Sequence, residues 1–241
     1  MVTLAGEKSF PEAVVMLDSF FANAGEPASC RIISDGTLAA RHQEVFCRIH
    51  PKITISSLEE FIAKPWPGSL EKRLSQNPMI MKLAVMWGVG RLPAGFYVDS
   101  DFMFFRAARE CNWASLLEAQ VPRYMRDAGF SLDRRLLRPE EVGSWSANAG
   151  LVLFAQSLDL EPWLDRLELL GDQLPGHFSE QTLVHLALAE AGALPLDPGQ
   201  FVLALDDLFS FQDKYAFRKN VVCRHYTGTI RHKFWILAGQ L

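Results

Sequence analysis

Apolar segments of strand character alternate with helical ones along the first hundred residues, and this alternation restricts the possible folds more than any other feature. Residues 1–5 read as a strand and residues 10–23 as a helix, with Val14, Leu17, Phe20 and Phe21 on one face. Ser9 and Glu12 have the spacing of a capping box at the start of that helix. Strand patterns recur at residues 30–34, ending at Asp35-Gly36, and at residues 53–55. A helical pattern over residues 79–90 then precedes Gly95-Phe96-Tyr97-Val98, a short buried-type strand that runs into Asp99-Ser100-Asp101. Strand, helix, strand, helix in this order predicts an α/β fold with a mostly parallel central sheet and helices on both faces. Ligands of such sheets bind at the carboxyl ends of the strands, where Asp99 and Asp101 lie.

The 241 residues, 49% hydrophobic and 22% charged, suit one such domain. Residues 106–144 are more polar, with Arg123, Arg126, Arg134, Arg135 and Arg138, and read as an excursion over the sheet's edge. Within it, residues 122–145 are a candidate mobile lid. A buried strand follows at residues 147–154, helical patterns at 161–170 and 180–191, a strand at 221–223, and then His225-Tyr226-Thr227-Gly228. A net charge of −4 gives no bulk attraction for nucleic acid. The four cysteines form no CxxC pair, which fits a reduced, cytoplasmic compartment. No apolar run is long enough to span a bilayer, and the start has no basic segment followed by an apolar one.

Alternate side chains of an extended chain point the same way, so Asp99 and Asp101 are expected on one face. Two carboxylates at ~6 Å repel by about 3 kcal/mol at an effective dielectric of ~20, which a shared divalent cation would reverse. The bland reading is an acidic pair that caps the next turn. His225 would add an imidazole, and oxygen with nitrogen donors suit manganese. Gly228 would let backbone amides approach an anion, with Arg231 and Lys233 supplying cations. A zinc site from Cys223, His225 and His232 is a rival, although its spacing matches no familiar ligand pattern. Asn148 before Gly150 reads as turn chemistry, and Glu180-Gln181 as a helix start.

Taken in order, these motifs resemble the family-8 glycosyltransferases of the GT-A fold, which include glycogenin and bacterial lipooligosaccharide galactosyltransferases. The resemblance covers most of the chain. Val2-Thr3-Leu4-Ala5 followed by Phe10 is similar to the family's first strand and uracil-binding turn, where an aromatic ring stacks on the base. Lys82 before Tyr97-Val98-Asp99-Ser100-Asp101 is similar to its basic helix and "YLDSD" strand. Asn148-Ala149-Gly150, Glu180-Gln181 and His225-Tyr226-Thr227-Gly228 are similar to its "NAGV" strand, "DQ" pair and metal and phosphate loop. The usual "DQD" is here Glu180-Gln181-Thr182, and the usual "KPW" is Lys233-Phe234-Trp235.

The resemblance implies a single GT-A domain over residues 1–241, with a nucleotide-binding half at 1–105 and an acceptor-side half at 106–241. It implies a UDP-sugar donor bound through Thr3, Leu4, Ala5, Lys8, Phe10, Lys82, Asp99, Ser100 and Gly228, with either Arg231 or Lys233 on the phosphate. Asp99, Asp101 and His225 would hold Mn2+ or Mg2+. Hexose would be transferred with retention to a carbohydrate, lipid-linked or protein acceptor, with Asn148, Glu180 and Gln181 around the reacting sugar. The protein would be cytoplasmic, or peripheral to a membrane through its acceptor. The rivals are a sugar nucleotidyltransferase and a nucleotide-sugar-binding protein without turnover.

Overall fold

Strands that are apolar on both faces need cover on two sides, and the order of elements supplies it. The computed structural model describes residues 1–63, 65–74, 77–143 and 145–240, so that Ser144 in the expected excursion and Leu241 lie outside the described residues. The elements are β1 (Val2–Ala5), α1 (Phe10–Asn23), β2 (Cys30–Ser34), α2 (Ala40–Ile49), β3 (Ile53–Ser56), α3 (Leu58–Phe61), α4 (Gly68–Arg73), α5 (Pro78–Gly90), β4 (Gly95–Val98) and β5 (Phe102–Phe104). They continue with α6 (Trp113–Glu118), β6 (Arg123–Arg126), β7 (Ala147–Phe154), α7 (Glu161–Leu164), α8 (Ser179–Glu190), β8 (Leu194–Pro195), β9 (Phe201–Val202), β10 (Cys223–His225) and α9 (Arg231–Ala238).

The main sheet has the order β3-β2-β1-β4-β7-β6-β8. Its strands β3, β2, β1 and β4 are parallel, β7 is antiparallel to both β4 and β6, and β8 runs with β6. Only β7 is reversed, so the expected mostly parallel sheet is present. Period-2 alternation along β7 sends Leu151 and Leu153 into the core under α1, with Phe20 and Phe96. Val152 and Phe154 enter the opposite core under α5 and α8, with Leu83, Trp87 and Leu183. A smaller sheet, β5-β10-β9, stands beside the main one. Among the described residues no helix is long and apolar enough to cross a membrane.

Three expectations are corrected. Ser9 makes no side-chain cap to α1, because a 3-10 turn at Glu7–Ser9 leads into the helix and Ser9 Oγ instead accepts from Gly6 N at 3.1 Å. Residues 165–170, expected as a continuation of a helix from residue 161, form a 3-10 helix after the short α7. The polar excursion is not confined to the sheet's edge: it contributes β6, inserted between β7 and β8, with Tyr124 and Met125 buried. Its composition misled because Arg123 and Arg126 flank this apolar pair. Beyond β6 the excursion is clamped, with Leu136 buried and Glu141 paired to Arg166 at 2.6 and 2.7 Å.

Candidate active site

The Asp-Ser-Asp segment does not continue β4 as an extended strand. It turns at Ser100 and Asp101 and carries the chain from the main sheet into β5. Asp99 is fixed across β7 by its amide, which donates to Gly150 O at 2.8 Å. Antiparallel pairing of β5 with β10 sets His225 opposite Phe102, and Tyr226 N donates to Asp101 O at 2.8 Å. Register and not strand alternation therefore brings the three side chains together. Ligand atoms of Asp99, Asp101 and His225 all lie within 4.8 Å of one another. His225 Nε2 is 3.1 Å from Asp101 Oδ1 and 4.0 Å from Asp99 Oδ2.

The imidazole stacks on Phe102 with centroids 4.4 Å apart. Gly150 lets it sit there, since a Cβ at that position would lie 2.5 Å from His225 Cε1. His225 Nδ1 is buried without a hydrogen-bond partner. Neighbouring ligand atoms of a six-coordinate ion at ~2.1 Å stand roughly 3 Å apart, so the 3.1 Å separation fits and the 4.0 Å one closes by about 1 Å. The mixed donor set, two carboxylates and one imidazole, fits a manganese-like cation.

Basic side chains hold both acids. Lys82 of α5 lies 2.7 Å from Asp99 Oδ2 and 3.0 Å from Glu180 Oε1 of α8, while Tyr97 Oη donates to Asp99 Oδ1 at 2.7 Å. Burial would lower the Lys82 pKa, but Asp99 and Glu180 outweigh it and keep the ammonium charged. The Glu180 carboxyl is raised by burial, with Lys82 opposing. Arg231 donates to Asp101 Oδ2 at 2.7 Å. Although burial would raise the Asp101 carboxyl, His225 and Arg231 hold it below the ordinary range. Three acids, Asp99, Asp101 and Glu180, thus meet two basic side chains, Lys82 and Arg231.

Asn148 and Gln181 meet behind this cluster. Gln181 Oε1 accepts from Ala149 N and Asn148 Nδ2, each at 3.3 Å, and its Nε2 donates to Asp127 Oδ2 at 2.9 Å and Ser131 O at 2.7 Å. Asn148 Oδ1 accepts from Gly150 N at 2.9 Å. Asp127, directly after β6, is the member that sequence reading missed. Its only signal was an acid behind a strand that the surrounding arginines concealed. Glu180, which the bland reading makes a helix-start acid and the resemblance places beside the reacting sugar, is buried against Lys82.

The remaining expected residues divide. Thr3 and Ala5 are buried and Leu4 half-buried in β1, while Lys8 is exposed. Phe10, expected to stack on a base, packs on His42 at 4.5 Å and Phe46 at 5.1 Å of α2. Gly228 and Ser100 are open to solvent, Gly228 exposed and Ser100 partly so. The two candidate phosphate cations differ: Arg231 is half-exposed at Asp101, whereas Lys233 is fully buried 3.1 Å from Asp207 and donates to Gln212 O at 2.7 Å. The zinc alternative fails because Cys223 packs in the apolar core, its thiol pKa raised by burial, and His232 is exposed. A hollow of about 410 Å³ at the carboxyl ends of β2 and β3 is lined by Ser34, Asp35, Ile55, Ser57 and Met81 among others.

No family model and no curated protein matches this sequence. Solved structures do. The galactosyltransferase LgtC in complex with donor and acceptor sugar analogs aligns with a TM-score of 0.60 at 17% identity, over 100% of this chain and 95% of that one. The bifunctional glycosyltransferase WbbM aligns at 0.59 and 14% identity, over 94% of this chain and 45% of that one. Mouse xyloside xylosyltransferase 1 aligns at 0.57 and 14% identity, over 95% and 97%. At such identities the likeness establishes the fold, and the chain has the GT-A fold.

Proposed function

We propose that this protein is a metal-dependent glycosyltransferase that moves a hexose from a UDP-sugar to a carbohydrate, lipid-linked or protein acceptor with retention of configuration. The observation that carries the reading is the convergence of Asp99, Asp101 and His225 within 4.8 Å where the two sheets meet. The GT-A fold shared with galactosyl- and xylosyltransferases supports it. Residues 1–105 would form the donor side and residues 106–241 the acceptor side.

A divalent cation bound by Asp99, Asp101 and His225, manganese in preference to magnesium, would stabilise the charge on the departing diphosphate. Lys82 and Tyr97 orient Asp99, so that its carboxylate cannot turn away from the cluster. Arg231 is the better choice of phosphate cation, because the Lys233 ammonium is committed to Asp207 and Gln212. Gln181 has both amide heads engaged, which favours a positioning role and front-face transfer over attack by this side chain. Asn148 and Glu180 would then orient the sugar hydroxyls.

The test is a panel of UDP-hexoses incubated with and without manganese, read by release of UDP. Metal-dependent UDP release supports the proposal. Pyrophosphate release from UTP and a sugar phosphate would assign a nucleotidyltransferase instead, and donor binding without any release would assign a binding protein.

A further inference from the structure

Residues 203–222, between β9 and β10, have no regular secondary structure and are nonetheless tethered from inside. Arg224 of β10 is fully buried, donates to both carboxylate oxygens of Asp207 at 2.9 and 2.7 Å, and contacts Asp213 as well. Asp213 also accepts from Tyr215 N at 2.7 Å, Ala216 N at 2.9 Å and Tyr226 Oη at 2.6 Å. Lys233 of α9 ties the same segment through Asp207 and Gln212 O. Leu208 and Ala216 pack inward on the cluster of Met103, Tyr226 and Phe234.

On this fixed frame three phenyl rings face solvent: Phe209 is 100% exposed, Phe211 82% and Phe217 80%. Phenylalanine is among the residues most often buried, and a slack loop would fold such rings in. The anchors fix the backbone on either side of them. Ser210 separates Phe209 from Phe211, and the polar run Gln212-Asp213-Lys214 stands between Phe211 and the stretch that carries Phe217, so the rings project as single prongs. A protein partner packs against a contiguous apolar patch, whereas a bilayer interface accepts separate rings at the headgroup boundary.

The charges point the same way. Asp207 and Asp213 are neutralised internally by Arg224 and Lys233, and Asp206 is paired with Lys214. Arg218 and Lys219, next to Phe217, are exposed and make no ion pair among the described residues. Arg106 lines the same shallow hollow as Phe217, Arg218 and Lys219, with Glu110 the one acid there. The surface around Phe217 therefore presents cations.

We infer that residues 205–219 form a membrane-docking loop, with Phe209, Phe211 and Phe217 entering the interface of a bilayer that contains anionic phospholipid and Arg218, Lys219 and Arg106 meeting its phosphates. The inference does not rest on the transfer reaction proposed above. It does bear on it: β10 and α9, which carry His225 and Arg231, hang on the same anchors, so a docked loop would hold the candidate site close to the leaflet. A lipid-linked acceptor would then be within reach.

The test is flotation of the full chain with vesicles of phosphatidylcholine, alone or with roughly 30% phosphatidylglycerol. The parent is expected to bind the anionic vesicles at least ~10-fold more strongly than the neutral ones, with binding weakened by added salt. Joint substitution Phe209→Ser, Phe211→Ser and Phe217→Ser is expected to lower that binding more than ~10-fold while leaving the melting temperature unchanged, since the rings touch little of the protein. Arg218→Glu with Lys219→Glu is expected to remove the preference for anionic lipid. Phe211→Trp gives a second readout, quenching of its fluorescence by brominated lipid. A parent that floats with neither vesicle, or serine variants that float as well as the parent, would overturn the inference. So would a parent that self-associates through these rings without binding vesicles. Failure on any of these counts would leave UDP release, and the transfer reading, untouched.

Discussion

Gly150→Ala tests the site through one methyl group. The new Cβ would lie 2.5 Å from His225 Cε1, 2.8 Å from Nδ1 and 2.7 Å from Asn148 Oδ1. Ordinary carbon contacts are about 3.5–4.0 Å, so the ring must move by roughly 1 Å. The backbone at 150 cannot readily yield instead, because it is a buried part of β7 and its carbonyl accepts from Asp99 N. A 1 Å movement is comparable to the whole difference between the 3.1 and 4.0 Å separations that define the cluster. Overpacking of this kind costs about 1–3 kcal/mol. Expressed in the ligand geometry, that corresponds to a loss of roughly 5- to 150-fold in cation affinity, at 1.4 kcal/mol per tenfold. Calorimetry with manganese and UDP measures the loss, and a thermal melt shows that the fold survives. Gly95→Ala in β4 is the control, since its Cβ would meet only ordinary contacts at 3.6 and 3.7 Å. Manganese affinity unchanged in Gly150→Ala would refute the placement of His225 among the ligands.

Asp99→Ala and Asp101→Ala are each expected to abolish metal-dependent UDP binding in a folded protein, checked by the same calorimetry. Lys82→Met should destabilise by about 3–5 kcal/mol, because it leaves Asp99 and Glu180 without their cation. The Lys82 pKa is raised, so its contribution is complete through neutral pH and is lost only as pH rises through that raised value. In the variant Glu180 loses the partner that opposes burial, its carboxyl rises further, and the deficit should grow as pH climbs above ~4.3; urea melts at about pH 5 and pH 8 measure this. Asp207→Asn should cost about 3–5 kcal/mol near neutral pH, since Arg224 is then left buried without its bidentate acceptor. Burial alone would raise the Asp207 carboxyl, but Arg224 and Lys233 help hold it well below the ordinary range, so its stabilisation is full above ~3.9 and lost as pH falls; acid unfolding should flatten in the variant. Arg231→Met should weaken UDP binding with little change in melting temperature, and Lys233→Met should do the reverse, as a thermal melt alongside UDP titration will show.

Elements with strong periodicity were legible in the sequence. The strands β1, β2, β3, β4 and β7 and the helices α1, α5 and α8 carry apolar patterns that local physics reads directly. The order of Asp99, Asn148, Glu180 and His225 was also legible, because each follows or opens such an element. What was not legible depends on partners distant in sequence. The strands β5 and β9 are two or three residues long, and the strand expected at 221–223 is found at Cys223–His225, because the mutual pairing of the three sets their bounds. Asp99 and Asp101 converge on His225 through that pairing, which strand alternation alone does not predict. The ammonium of Lys82 reaches Glu180 only because α5 packs on α8. Phe10 fits a base-stacking role by pattern, and the contacts of its ring with His42 and Phe46 of α2 are of the same long-range kind.

The pairing of β5 with β10 also has an entropic side. Phe102 and His225 are 123 positions apart (225 − 102), so the contact closes a long loop and gains little from local structure. Contacts of this separation must offset the loop-closure entropy before they add stability. The candidate site therefore lies at a seam set by long-range pairing, and Phe102, Phe104 and Cys223 tie that seam into the core under α1. A ligand that engages Asp101 and His225 together would close that seam, adding on the order of 2.7 kcal/mol at a hundred times its dissociation constant. Ligand occupancy and the order of the C-terminal segments are one coupled equilibrium.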